Sequence, residues 1–333
     1  MKGFGRERPK FANFGGASKF SQIWGPRVAD VTLLDGGMGQ ELIRRSGGVA
    51  TPLWSTQALI DRPGLVAEAH RDYAEAGARV ATTNTYAIHR DRLRGGDSNH
   101  YARQGTVMES LEARFSTLLD AALDEVETVR GTCRIAGSIG PLEASYRPDL
   151  HPAFDVAVSR YEEVAAHLAG RVDILLFETI PSLEAARACL AAGRKTDRPV
   201  WLSFTVDDED GARLRSGEPV AEAARIGAEA DAVLANCSAP EAIPAALDAL
   251  AVAGVPMGAY ANGFTTLTKD FVAGGTTADD LSPRRDLGPD VYADHVMRWV
   301  GAGASIVGGC CEVGPAHIAE VARRLRAAGH EIV

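Results

Sequence analysis

The sequence predicts an α/β chain of the (β/α)8 class, a TIM barrel. Three observations predict it. Eight short apolar, β-branched runs recur along residues 31–311, with longer Ala/Glu/Arg-rich amphipathic stretches between them. The runs are nearly continuous in apolar residues, as expected of parallel strands buried on both faces. No GxGxxG stands between a strand and a helix, and there is no Walker loop, which counts against an open doubly wound sheet.

The runs are VTLLD (31–35), VATTNTY (80–86), RIAGSIG (134–140), VDILLFET (172–179), PVWLSFTV (199–206), AVLANCS (232–238), PMGAYAN (256–262) and SIVGGCC (305–311). Helices are expected between them, for example over 62–78, 155–170, 182–193 and 315–329. Several of these end in Gly, a common stop, and Ser182 after Pro181 reads as an N-cap. The first 30 residues hold no period and carry six Lys/Arg against Glu7 and Asp30. They read as a flexible extension, or as a transit segment, ahead of a single barrel domain over 31–333. The polar stretch 263–289 reads as a long loop after the seventh strand, ordered over the site.

Composition narrows the function. With 46% hydrophobic and 24% charged residues, the 333-residue chain can bury a sizeable core. A formal net charge of −9 argues against a nucleic-acid partner. No apolar run reaches the roughly 18–20 residues of a membrane span. Five cysteines, two of them adjacent, do not suggest a secreted disulfide framework. Reduced thiols and a cytoplasmic location fit better.

Barrel enzymes build their sites at the C-terminal ends of the strands. Those ends carry Asp35-Gly36-Gly37, Thr83-Asn84-Thr85-Tyr86, Glu178-Thr179, Asn236-Cys237 and Gly308-Gly309-Cys310-Cys311. Cys133 and Cys189 read as inert small apolar residues. Cys237, Cys310 and Cys311 sit on the rim, and three thiolates with an open fourth position suit a catalytic zinc. Neighbouring strand residues face opposite ways, so both Cys310 and Cys311 reach one ion only if the backbone turns at Cys310. Gly308-Gly309 would make that bend cheap. A redox disulfide between the neighbours is the alternative reading. A purely structural zinc would need a fourth protein ligand, and only three are in sight. Asp35 and Glu178 read either as helix-capping carboxylates or as a pair that grips an ammonium group. His70 lies on a helix face and His89 in a loop, and no HExxH or Ser-His-Asp spacing competes.

These residues are similar to a known family. LLDGGMGQEL (33–42), TPLWSTQAL (51–59), TNTY (83–86), GSIGP (137–141), FETIPSLEAA (177–186), ANC (235–237) and GGCCEVGPAHI (308–318) occur in the order found in homocysteine S-methyltransferases. The resemblance spans about 31–329. It implies a zinc (Zn2+) held by Cys237, Cys310 and Cys311, and a homocysteine site using Asp35, Glu178 and Thr83. Gly36 and the neighbouring backbone amides would meet the substrate carboxylate, and Asn236 lies beside it. The implied reaction passes a methyl group from a small onium donor to the homocysteine thiolate, giving methionine. Trp54 in PLWS reads either as a ring face for a cationic donor or as ordinary packing. PLWS favours S-methylmethionine, with S-adenosylmethionine second. Ala87, where betaine-using relatives carry an aromatic residue, counts against betaine. Tyr260-Ala261-Asn262 departs from the family's Y-P-N. No folate or cobalamin module is read within the 333 residues, so a complete methionine synthase is not expected. The other readings are methylation of a different thiol or selenol, and a subunit that depends on a separate corrinoid protein.

Overall fold

The computed structural model describes residues 30–47, 55–94, 111–265 and 282–333. The expected extension over 1–30 falls, but for Asp30, outside the described residues, and so do Trp54 and the middle of the 263–289 stretch.

All eight predicted runs form strands, and the strands are parallel. They are β1 (Thr32–Leu33), β2 (Val80–Thr82), β3 (Arg134–Ile139), β4 (Ile174–Ile180), β5 (Val200–Phe204), β6 (Ala232–Asn236), β7 (Met257–Tyr260) and β8 (Ile306–Val307). Their order is β1-β8-β7-β6-β5-β4-β3-β2. The remaining gap is bridged between Leu34 and Val80. There the Arg79 amide donates to Leu33 O at 2.8 Å, and the Asp35 amide to Val80 O at 3.0 Å. The sheet therefore closes into a barrel. Beneath it, Val31 bridges Ile332, which ties the last residues to the start of β1.

The strands are shorter than the runs that predicted them. Except at β4, whose strand runs one residue past its predicted run, most of the excess lies at the C-terminal ends: 84–87 form a turn after β2, and 308–311 follow the end of β8. Most of those residues are still buried, but their backbone leaves the ladder near the mouth.

Helices surround the sheet. Among the described residues they include α1 (Met38–Arg45), α2 (Thr56–Asp61), α3 (Leu65–Ala76), α4 (Arg90–Arg94), α5 (Phe115–Val126) and α6 (Phe154–Ala169). They continue with α7 (Leu183–Gly193), α8 (Val220–Gly227), α9 (Ile243–Leu250), α10 (Pro289–Gly301) and α11 (Pro315–Ala327). Ser182 caps α7 as expected, its hydroxyl accepting from the Ala185 amide at 3.2 Å. Cys189 is buried in α7 and Cys133 just before β3, so neither reaches the mouth.

The period-2 alternation of the strands divides the core. One face packs against the helices, through Leu33, Leu175, Phe177, Leu202 and Val233. The other fills the barrel, through Leu34, Val80, Ala136, Ile174, Leu176, Trp201, Ala232, Leu234, Tyr260 and Ile306. The same inward parity carries up to the mouth as Thr82, Ser138, Glu178, Ser203, Asn236, Tyr260 and Cys310. Apolar layers below and a polar layer on top are thus one alternation read along the strands.

His70 on α3 departs from this economy. It is fully buried, and neither ring nitrogen has a hydrogen-bond partner among the described residues. Burial lowers its pKa from 6.5 to about 3. The unfolded chain therefore binds a proton at pH 5 that the folded chain does not, and stability falls as pH drops below 6.5. His70→Leu is expected to stabilise the protein by about 1–3 kcal/mol at pH 7, by removing two unpaired buried polar atoms. At pH 5 the gain should widen by about 2 kcal/mol. Urea midpoints at the two pH values check this, and an equal gain at both would refute the titration argument.

Candidate metal centre and substrate site

The end of β8 lies against the end of β1 because both carry glycine pairs. A Cβ on Gly36 would stand 2.1 Å from Val313 O, and one on Gly37 would stand 2.4 Å from Cys310 O. A Cβ on Gly309 would meet the Val313 side chain at 2.2 Å, and one on Gly308 the Leu34 Cβ at 2.5 Å. Hydrogen bonds lock the approach: Gly309 N to Asp35 O at 2.9 Å, and Gly37 N to Val313 O at 2.9 Å.

On this seat the chain turns. Cys310 still pairs with the β7 side, its amide donating to Ala261 O at 3.0 Å. The Val313 amide closes the turn on Cys310 O at 3.1 Å, and Glu312 holds a φ of 63°. The bend expected at Cys310 is thus centred one step later, on Cys311 and Glu312. Gly308 and Gly309 do not supply it; neither has positive φ. Their role is close approach of two backbones.

The turn brings Cys311 to the same side as Cys310. With Cys237 at the end of β6, the three sulfurs lie within 4.8 Å of one another. Cys237 and Cys311 are 4.0 Å apart. A tetrahedral ion with metal–sulfur bonds of about 2.3 Å needs sulfurs about 3.8 Å apart, so the donor set fits zinc in type and spacing. No fourth Cys, His, Asp or Glu joins the group among the described residues. Cys237 and Cys311 are buried, whereas Cys310 is partly exposed. Cys237 sits at φ 51° and Thr179, after Glu178, at φ 59°. Left-handed non-glycine residues cost energy and gather at functional sites.

Two aromatic residues cover the sulfurs. Tyr146 and Phe264 pack with Cys237 and Cys311. The Tyr146 hydroxyl lies 2.8 Å from Cys237 Sγ. Hydrogen bonds from the Cys310 and Cys311 thiols, then from Tyr146, hold Cys237 well below the usual thiol range. Sequence reasoning missed both residues, because they belong to the β3 and β7 loops, where no period marks function. Phe264 is placed by the roots of the long β7 loop. Thr265 N donates to Ser282 O at 2.9 Å, and Arg284 N to Gly263 O at 2.7 Å.

Two buried carboxyls lie at the strand ends of the same mouth, Asp35 after β1 and Glu178 in β4. Asp35 is 2% exposed. It accepts from the Thr82 amide and the Thr82 hydroxyl, each at 2.8 Å. Glu178 accepts from the Ser138 hydroxyl and, at 3.0 Å, from the Tyr260 hydroxyl. Burial raises both carboxyls to about 7, against the hydrogen bonds that favour their ionised forms. The charge of Glu178 raises Asp35 further. No Lys, Arg or His side chain pairs with either carboxyl among the described residues.

Thr83 and Asn236 have committed side chains. Thr83 Oγ1 accepts from Ser138 N at 2.9 Å and pairs with Thr85 Oγ1 at 2.6 Å. The strand-two residue that holds Asp35 is Thr82, and inward parity was the signal for it. Asn236 Oδ1 accepts from Thr179 N at 2.9 Å and Ser203 Oγ at 2.8 Å. Its Nδ2 donates to Thr179 Oγ1 at 3.0 Å and reaches Glu178 Oε2 at 3.5 Å. Asn236 thus locks the bend that aims Glu178. Gly36 is buried beneath Val313 and Tyr73. Trp54 lies outside the described residues, though Ser55 beside it is pinned by Asn84 Nδ2, which donates to Ser55 O at 2.9 Å.

Comparison with known proteins gives the family and the fold. The family model described as homocysteine S-methyltransferase matches residues 32–325. A homocysteine S-methyltransferase of Escherichia coli is 30% identical over 89% of this chain and 95% of its own length. Homocysteine S-methyltransferase 4 of Zea mays is 31% identical over 90% of each chain. The crystal structure of the Escherichia coli homocysteine methyltransferase MmuM, metallated form, superposes with a TM-score of 0.70 at 28% identity, over 89% of this chain and 96% of that one. A barrel whose thiols and carboxylates share one mouth, matched along nearly its whole length, belongs to the homocysteine S-methyltransferase family, whose reaction is methyl transfer to homocysteine.

Proposed function

We propose that this chain converts homocysteine to methionine at a zinc ion held by Cys237, Cys310 and Cys311. The methyl group would come from a small onium donor, S-methylmethionine ahead of S-adenosylmethionine. Residues 31–333 would form one homocysteine-binding barrel. The observation that carries the reading is the convergence of three thiols and two buried, cation-less carboxylates at one mouth. Bound zinc would supply acidity, making the substrate thiol a thiolate near neutral pH.

The protein's own residues do the rest. Asp35 and Glu178 receive the substrate ammonium, which turns two costly buried charges into a paired set. Thr82 fixes Asp35, while Ser138, Tyr260 and Asn236 fix Glu178, so the pocket is preorganised before substrate arrives. Phe264 and Tyr146 shield the sulfurs from water, which strengthens each electrostatic contact inside. The homocysteine sulfur then forms a bond to the donor methyl carbon. The carbon–sulfur bond of the donor breaks, and its electron pair stays on the departing thioether. Ala87 offers no aromatic face for betaine, which supports a sulfonium donor. The chemistry consumes reduced thiols, which supports a reducing cytoplasmic setting.

Zinc-loaded, reduced protein given homocysteine is expected to form methionine with S-methylmethionine, and with betaine to form none. Cys310→Ala should lose about one zinc per chain and at least ~1,000-fold in rate. Methionine formation by a zinc-free Cys310→Ala protein at the parent rate would refute the metal reading.

The carboxylates predict a pH dependence. Asp35 must be ionised to hold an ammonium, and unliganded it gives up its proton at about 7. The homocysteine KM should therefore fall as pH rises from 6 to 8. Asp35→Asn should raise the KM by about 100-fold or more, the ~3 kcal/mol of a broken buried charge pair, and flatten that dependence. The folded-state pKa lies above the unfolded 3.8, so Asp35 costs stability as pH climbs from 4 towards 7. Asp35→Asn protein, though crippled in binding, should thus melt higher than the parent at pH 8.

A further inference from the structure

Three thiolates around a dication carry one net negative charge, and a substrate sulfur adds a second. A charge of that size in a buried site calls for a nearby cation. The structure holds one. Arg215, on the loop between β5 and α8, has a side chain only 11% exposed, and it pairs at 2.8 Å with Asp208, itself 8% exposed. Most other ion pairs among the described residues have at least one partner well exposed to solvent.

The surroundings of Arg215 converge on Cys237 by two routes. Its guanidinium carbon lies 5.6 Å from the centre of the Tyr146 ring, whose hydroxyl is 2.8 Å from Cys237 Sγ. Its Nε reaches Thr205 Oγ1 at 3.4 Å, and Thr205 Oγ1 donates to Cys237 O at 3.2 Å. Asp208 fastens the assembly to the β6 end, its Oδ1 accepting from Ala239 N at 2.8 Å.

We propose that Arg215 is a positioning residue for the thiol centre: paired with Asp208 in a neutral ion pair, it sets the positive end of that pair beside Tyr146 and Thr205, on the side of the metal–thiolate cluster, where it favours the cluster's negative charge, more so once the substrate sulfur is bound. This rests on the metal reading of the cysteine cluster given above. Nothing in the proposal requires Arg215 to touch the substrate.

Charge can be separated from packing with two variants. Arg215→Gln keeps hydrogen-bond donors for Asp208 and Thr205 but is neutral; Arg215→Lys keeps the charge. Zinc affinity would be measured by chelator competition, homocysteine affinity by equilibrium binding, and the ligand set by the cobalt(II) thiolate absorption of the cobalt-loaded proteins. Arg215→Gln is expected to bind zinc about 10–100-fold more weakly. Its homocysteine affinity should fall by at least tenfold, with the cobalt–thiolate bands retained. Arg215→Lys should lie within about threefold of the parent in both. Arg215→Gln indistinguishable from the parent, or Arg215→Lys as weak as Arg215→Gln, overturns the proposal while leaving the metal centre standing. Absence of thiolate bands in the parent itself overturns the metal reading and the role of Arg215 together.

Discussion

The contact on which the mouth of this barrel depends is the one between two glycine pairs. Gly36-Gly37 and Gly308-Gly309 bring the ends of β1 and β8 closer than any side chain would allow. That approach seals the sheet where it begins and ends in sequence. It also lays the Cys310–Cys311 turn across the mouth, opposite Cys237, and sets Asp35 one residue from the same seam. A methyl group at any of the four positions would meet backbone or packed side chains. Closure of the fold and assembly of the site are one packing problem.

Above that seat the site carries several energetic costs at once. Two carboxylates are buried with hydrogen-bond donors but no cation. Two residues that aim reactive groups, Thr179 and Cys237, sit in a left-handed conformation without being glycine. Asn236 holds the first of these bends, using both its acceptor and its donors. Rigidity obtained this way comes at the expense of stability, the usual exchange at functional sites.

Much of this was legible in the sequence, because the barrel repeats one alternation eight times. Runs of β-branched and apolar residues marked each strand, and the parity that put Ile174 and Leu176 inside put Glu178 inside as well. The cysteines stood out as reactive residues at strand ends. What the sequence could not reveal follows from physics that acts across loops. Thr82 holds Asp35 because it faces inward, while its neighbour Thr83 faces away and ties β2 to β3. Tyr146 and Phe264 come from aperiodic segments, and their place over the sulfurs is set by tertiary packing alone. The turn after Cys310 depends on Glu312 accepting positive φ, which its residue type does not announce.

The bridge between Val31 and Ile332 has a geometric corollary. It lies at the N-terminal edge of β1, on the floor of the barrel, with the apolar layers of the interior between it and the sulfurs. The described chain enters and leaves through that floor, side by side. Val31 and Ile332 are thus both held a full barrel height from the thiol centre.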